Sequence, residues 1–448
     1  MPASRTPFQL PLEPDVIIDP RYRTHNKLVY SQIRSGHATF KAGLSAPVHR
    51  WFRLTPSFGP DLVREMLLTL ECGTDDVVLD PFAGAGTTMI ECQLSGISSV
   101  GFEINPFLQF VGQACLRWNI DPAKLEATFK DIQQCYLDLD SQVTFSTLDR
   151  FNLRIPTIHT PLRWWREDVL TRLLVLKRSI DSMTTSQPER DFFRLALAAV
   201  LVPDLTNVTL GRLQLHFIDR TNHHINVWET YSEHCQKMIG DVKSLRAQEL
   251  QPTSNVLLVN STDVGDMQLD RQPNCVITSP PYPNRYSYVW NTRPHLYLLD
   301  FVSEAKQSSA IDLLAIGGTW GTATSALLKP ILQPEHQIVS EVVGPVISQI
   351  RAHDNLMANY ALKYFNMLTK QILEMDRLLA KNARIAYVVG CSRLRGVYIE
   401  TDVLLARIIE GLNLKYDVKA VQRIRRRNSG KDLHESIVYA WKRPSSSQ

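Results

Sequence analysis

The sequence predicts an α/β fold: a seven-stranded, doubly wound, mostly parallel sheet with a helical insertion between its second and third strands. Three observations predict it. Short continuous apolar runs, the pattern of strands buried on both faces, recur along the chain. The first run ends in a glycine-rich turn that opens a helix, the βα unit of such sheets. The runs also fall into two groups, separated by a long stretch of helical periodicity.

The first run is Val77, Val78 and Leu79, followed by Asp80-Pro81-Phe82-Ala83-Gly84-Ala85-Gly86-Thr87-Thr88 and a helical stretch through Ile90 to Leu94. Gly96 closes that helix, Val100 to Phe102 read as the second strand, and Glu103 follows directly. An acid about twenty residues past a glycine turn stands where a ribose-binding carboxylate belongs. From Pro106 to about Ala247 the signals are mainly helical, including Trp165 to Ser179 and Arg190 to Val202. Strand patterns return at Asn255 to Val259 and at Cys275 to Ile277, the latter running into Thr278-Ser279-Pro280-Pro281-Tyr282. Arg351 to Leu379 reads as a long helix, Arg384 to Val389 as a buried strand, and Thr401 to Glu410 as a helix. Stretches near Val418 to Ile424 and Ser436 to Trp441 complete seven strands. The chain divides accordingly into an arm (1–44), a first core half (45–120), the helical insertion (121–252), a second core half (253–443) with its own loop insertion (283–350), and a tail (444–448).

With 448 residues, 44% hydrophobic and 21% charged, the bulk of the chain has ordinary globular composition. Only the opening stretch through Pro14 and the closing Pro444-Ser445-Ser446-Ser447-Gln448 read as loose. Without a run of about 18 apolar residues or a secretory pattern at the start, a soluble cytoplasmic protein is expected. The seven cysteines (Cys72, Cys92, Cys115, Cys135, Cys235, Cys275, Cys391) are odd in number and widely spread, with no C-x-x-C pair. They predict reduced, mostly buried thiols and no metal. A net charge of +4 is compatible with a polyanionic partner without establishing one. Arg423, Arg425, Arg426 and Arg427, with Arg393 and Arg395 upstream, form a basic cluster of the kind that is more often a solvated face than a phosphate track.

Two segments together, the one from Asp80 to Thr88 and the one from Thr278 to Tyr282, resemble the cofactor and catalytic motifs of the DNA amino-methyltransferases, which methylate N4 of cytosine or N6 of adenine. The resemblance implies the class I methyltransferase fold, S-adenosyl-L-methionine as cofactor, and double-stranded DNA as partner. In that frame Gly84 and Gly86 let the backbone approach the methionine part of the cofactor, where a side chain would clash. Asp80 meets its ammonium end, Phe82 covers it, and Ala83, Thr87 and Thr88 complete the motif. Glu103 accepts the ribose hydroxyls and Asp263 the adenine amino group. The segment from Thr55 to Val63 is similar to the part of the family that folds over the methionine moiety, which puts Phe58 at the cofactor; an ordinary helix start at Pro60 explains the same letters. The G-x-G-x-x-G of nicotinamide enzymes is not matched, which disfavours hydride transfer.

Chemistry gives the second motif its role. An exocyclic amine is a poor nucleophile because its lone pair is delocalised into the ring, so the site must orient it. The Ser279 hydroxyl and the Pro280 carbonyl would each accept an N–H, and Pro280 and Pro281 fix the backbone so that the carbonyl points into the site. Tyr282 would stack on a base flipped out of the duplex. Direct transfer needs no cysteine nucleophile, and Cys275 reads as a small core residue. Cofactor motif before catalytic motif, with the insertion between, resembles the alpha-type order and makes the insertion the candidate for target recognition. Its Arg163, Trp164, Trp165 and Arg166 read better as core than as a binding patch. Arg285 and Tyr286 are better placed to touch the flipped nucleotide or its phosphates, and Gly317, Gly318 and Gly321 suggest a segment that orders on substrate binding.

Serine in the first catalytic position is commoner among the N4-cytosine members, so the resemblance points to cytosine N4. Adenine N6, an RNA base as substrate, and a non-catalytic recognition subunit stay as alternatives. Restriction-modification in a bacterial or archaeal cell is plausible from the family, with any nuclease or other defence protein a separate partner.

Overall fold

The computed structural model describes residues 28–30, 42–55, 57–211, 214–245, 252–318, 322–328, 331–426 and 433–443. The ends read as loose, together with Pro56, Gly321 and Arg427, lie outside the described residues, as do the side chains of Arg425 and Arg426.

The strands are β1 (Leu28–Tyr30), β2 (Val77–Asp80), β3 (Ser98–Glu103), β4 (Val208–Leu210), β5 (Leu215–Phe217), β6 (Ser254–Leu258), β7 (Cys275–Thr278), β8 (Arg384–Gly390), β9 (Ser392–Leu394), β10 (Val397–Ile399), β11 (Tyr416–Arg426) and β12 (His434–Lys442). Eight of them form one sheet in the order β1-β11-β12-β8-β7-β2-β3-β6. The run from β8 to β6 is parallel throughout, and β12 is antiparallel to both of its neighbours. The seven predicted strands are therefore all present, in the doubly wound order of the class I methyltransferase fold. The eighth, β1, adds in parallel to the edge strand β11. Three residues are too few for periodicity to detect, and the sequence reading had placed them in an arm.

Side chains along the central strands alternate between two buried layers, which is why these segments read as continuous apolar runs. Val78, Ile277 and Ala386 pack with Leu62, Val63 and Met66 of α1 (Pro60–Thr69). Leu79, Val276 and Tyr387 face the other way, toward Tyr364, Phe365 and Leu368. Helices α2 (Thr87–Leu94) and α3 (Pro106–Cys115) follow β2 and β3.

The insertion contributes α4 (Pro122–Asp140), α5 (Pro161–Trp164), α6 (Glu167–Met183), α7 (Gln187–Leu201), the β4–β5 hairpin and α8 (Val227–Leu245). Leu170, Leu173, Phe192 and Phe193 of this insertion join Phe107 and Val111 of α3 in one apolar cluster. Trp164 and Trp165 are core, at 3% and 0% exposure. The arginines beside them are engaged locally: Arg163 lies 3.9 Å over the Phe217 ring, and Arg166 pairs with Asp168 at 2.6 Å.

After β7 come α9 (Tyr288–Asn291), α10 (Arg293–Leu298), α11 (Ala305–Leu314), α12 (Thr322–Ala326), α13 (Gln337–Arg351), α14 (Asn355–Asp376) and, after β10, α15 (Thr401–Gly411). The long helix expected over Arg351 to Leu379 is present as α14, which begins later, at Asn355. Arg351 ends α13, and the Asp354 side chain caps α14 by accepting from Met357 N at 3.0 Å. Arg423 likewise departs from the solvated face expected of its cluster. It is 7% exposed and donates to Glu400 at 2.9 Å and Asp402 at 3.0 Å. The seven cysteines are free, and five of them are buried.

Close packing of the first βα unit depends on Gly101 in β3. A Cβ there would stand 2.8 Å from Ala83 Cβ and 2.8 Å from Met89 Cε, below ordinary contact. Gly101→Val is expected to lower stability by about 1–3 kcal/mol through overpacking. Denaturant unfolding checks this, and an unshifted midpoint would contradict it.

Candidate active site

The chain runs outward from β2 through β3 to β6, then returns to lay β7 on the free side of β2. Loops leaving β2 and β7 therefore part in opposite directions and leave a crevice at the carboxyl edge, the usual ligand position in open α/β sheets. A cavity with roughly 1230 Å³ of atom-free space, its open mouth included, occupies this crevice.

One end of the cavity is built by the first βα unit. Gly84 (φ 53°) and Gly86 (φ 89°) adopt the left-handed conformation that glycine reaches without a Cβ penalty. That turn aims Gly84 N at the Glu103 carboxylate, 2.9 Å away. Asn105 N holds the other carboxylate oxygen at 2.8 Å, while its side chain caps α3 and Pro106 begins that helix. The Glu-Ile-Asn-Pro sequence thus ends a strand, fixes an acid at its tip and starts a helix within four residues. Burial pushes the Glu103 carboxyl up to about 7 against these backbone donors. Phe58, Phe82, Ala83, Gly84, Thr87 and Glu103 all line the cavity. Phe58 does so immediately before α1, which begins at Pro60 as a helix start there predicts.

Ser279, Pro280, Pro281 and Tyr282 leave β7, the strand beside β2, and line the same cavity. Tyr282 O accepts from Asn284 N at 2.7 Å, and the Tyr282 hydroxyl donates to Glu435 Oε1 of β12 at 2.6 Å. Tyr286 is 8% exposed and lines the wall, its hydroxyl donating to Thr55 O. Leu314, Ala315 and Ile316 close a further side, and Gly317 follows them with its Cβ position 3.6 Å from Tyr282 O.

Not every expected residue reaches the cavity. Asp80 is 1% exposed and already accepts from Thr278 Oγ1 at 2.5 Å, Thr88 Oγ1 at 2.7 Å and Phe82 N at 3.0 Å. Burial raises its carboxyl to about 6 despite these donors. It ties β2 to β7 and α2 instead of meeting a ligand, and Thr88 serves the same knot. Gly86 caps α2, and its Cβ position stands 3.1 Å from Gly112 Cα, so it serves the approach of α2 to α3. Asp263 is exposed and outside the lining. Its N–H donates back to Asn260 O at 2.9 Å, and this turn presents Asn260, Ser261 and Thr262 to the cavity in its place. Arg285 is exposed on the rim, with φ 63° and its N–H on the Tyr360 hydroxyl at 3.0 Å.

Lining residues that sequence reasoning missed include Asn260, Ser261, Thr262, Asn284, Tyr288 and Glu435. Polar letters after a strand end mark the first three; nothing local marks Glu435. Away from the cavity, Cys72, Asp76 and Cys275 place ligand-type atoms within 4.8 Å of one another. Arg384 occupies that spot as the cation, 2.7 Å from Asp76 and 3.2 Å from Cys275 Sγ.

The Asp80 knot generates a prediction. Asp80→Ala strands two buried hydroxyls and an N–H, and should cost about 2–4 kcal/mol in denaturant unfolding. A loss below 0.5 kcal/mol (about the noise of a surface change) would contradict the structural role.

The DNA methylase family matches residues 36–110, a span covering the first βα unit and the segment before it. Over 95% of this chain and 92% of its own length, the Type II methyltransferase M.AvaI from Nostoc sp. is 23% identical. The Type II methyltransferase M.BsoBI from Geobacillus stearothermophilus is 22% identical over 84% of this chain and 80% of its own. Among solved structures, the rRNA methyltransferase aviRa from Streptomyces viridochromogenes aligns with 91% of this chain and 96% of its own at 10% identity and a TM-score of 0.32. The fold assignment rests on strand order; the sequence matches, together with the two motifs placed at one crevice, make the chain similar to the DNA amino-methyltransferases.

Proposed function

We propose that this protein is an S-adenosyl-L-methionine-dependent DNA methyltransferase that transfers a methyl group directly to the exocyclic N4 of cytosine in a flipped-out base. The observation that carries the reading is that Glu103 and residues 279–282 line one cavity.

The residues fit the cofactor. The Glu103 carboxylate is held by two backbone N–H groups and still has lone pairs for the ribose hydroxyls. At Gly84 a side chain would crowd Leu54, so only bare backbone leaves room for the methionine part. Phe58, Phe82, Ala83 and Thr87 complete that wall, and Asn260 to Thr262 stand where the adenine end would lie. When bound, the cofactor supplies a methyl group on a sulfonium, an electrophile that requires only a correctly oriented lone pair.

This chain's residues supply the orientation. The Ser279 hydroxyl and the Pro280 carbonyl each accept one N–H of the target amine, turning its lone pair out of conjugation. Pro281 stiffens the loop. Tyr282 offers its ring as a stacking platform, which offsets part of the few kcal/mol needed to unstack a base. Tyr286 shapes the pocket wall, and Arg285 on the rim is placed for a phosphate. Serine at 279 favours cytosine over adenine through the family resemblance. The relatives are named Type II methyltransferases, from which we extend to this chain site-specific methylation alongside a separate restriction nuclease.

Purified protein incubated with methyl-labelled cofactor should label unmethylated duplex DNA, and nucleoside mass spectrometry of the digest should show N4-methylcytosine. N6-methyladenine would correct the base, and label in RNA alone would overturn DNA as substrate. Ser279→Ala should lose about 10²–10³ in kcat, the usual cost of one oriented polar contact in a transition state, while the cofactor Kd holds. Full activity in that variant would remove the amine-holding role.

Cofactor binding should also depend on pH. The Glu103 carboxyl is raised to about 7, and the ribose hydroxyls need its ionised form. Affinity is then full above pH 7 and falls as the pH drops through that value, by up to about tenfold per unit. Calorimetric Kd values that stay flat between pH 8 and about pH 5.5, well below this carboxyl's titration, would contradict it.

A further inference from the structure

We infer that Glu435 is a positioning residue of the reaction, acting through Tyr282. This rests on the proposed base-stacking role of Tyr282 and extends it to a residue 153 positions away. A tyrosine ring turns about two side-chain bonds, so a fixed backbone alone does not fix its plane. Here the backbone end is held by Pro280 and Pro281 and by the Asn284 N–H on Tyr282 O at 2.7 Å. The ring's far end is held by the hydroxyl, which donates to Glu435 Oε1 at 2.6 Å. A hydrogen bond to a carboxylate is roughly twice as strong as a neutral one, and shorter.

Glu435 is itself buried within the sheet. It lies in β12, opposite Gly390 of β8 on one side and Arg425 of β11 on the other, and is 5% exposed. Its side chain lines the cavity beside the catalytic loop. The antiparallel strand thus reaches the carboxyl edge with its first residues and clamps the platform there. A target base laid on a ring pinned at both ends presents its amine at one height and one tilt. Freed at the hydroxyl end, the ring can rock, and about 1 Å of misplacement can cost on the order of 10²-fold in rate.

The test compares Glu435→Ala, Glu435→Gln and Tyr282→Phe in the full-length protein. Glu435→Ala should lower kcat on unmethylated duplex DNA by about 10–100-fold with an unchanged cofactor Kd. Tyr282→Phe, which keeps the ring and loses the hydroxyl, should fall by a similar factor, and the double variant should be no slower than the slower single. Glu435→Gln retains an oxygen acceptor and should recover most of the loss. Multiplying losses in the double variant, or a glutamine variant as slow as the alanine one, would overturn the clamp and point to the charge itself. Amide hydrogen exchange over residues 278–288 provides a readout independent of substrate: faster in Glu435→Ala, restored in Glu435→Gln. Unchanged exchange in Glu435→Ala overturns the proposal even if the wild type labels no DNA, whereas an inactive wild type with the expected exchange pattern faults the proposed function alone.

Discussion

At the carboxyl edge of the sheet the buried Asp80 carboxylate receives hydrogen bonds from Thr278 in the adjacent strand and Thr88 in the following helix. Burying such a group costs several kcal/mol unless it is satisfied, and each hydrogen bond to a charge contributes about 1.5–3 kcal/mol. The three donors offset the cost only when β2, β7 and α2 are all in register. Asp80 is thereby a constraint on the whole site: it fixes the strand that ends in the glycine turn against the strand that ends in Ser279. The spacing between Gly84 and Ser279, which line one cavity, depends on that seam.

The same edge shows how one chain divides its labour. Backbone N–H groups, from Gly84 and Asn105, hold Glu103 in place, so that the acid is oriented by the fold and not by a flexible partner. The Tyr282 ring is held by a side chain from the far, antiparallel end of the sheet. Strands from both halves of the sequence contribute to the cavity wall. The insertion shares one apolar cluster with Met89 and Ile90 of α2 and Phe107 and Val111 of α3.

Much of this was legible in the letters, because the central strands are buried on both faces and betray themselves as unbroken apolar runs. The glycine turn and the Ser-Pro-Pro-Tyr loop could be placed at strand ends for the same reason. What was hidden depends on partners distant in sequence. Asp80 looks like a ligand-binding acid until Thr278 is known to lie beside it, 198 residues away. Asp263 looks available until the turn through Asn260 directs it outward. Glu435 carries no motif, since its position follows from the register of β12 on β8. Strand β1 was missed because three residues show no period, and the start of α14 was read early because its signal is a single capping aspartate, Asp354.

In the proposed function, the one cavity lined by Glu103 and residues 279–282 brings a methyl donor to an amino group of a DNA base. Sequencing genomic DNA from cells with the gene, without it, and with a Ser279→Ala copy tests this most directly. N4-methylcytosine is expected at one recurrent site with the intact gene and absent from the other two. An identical methylation pattern in all three would contradict it.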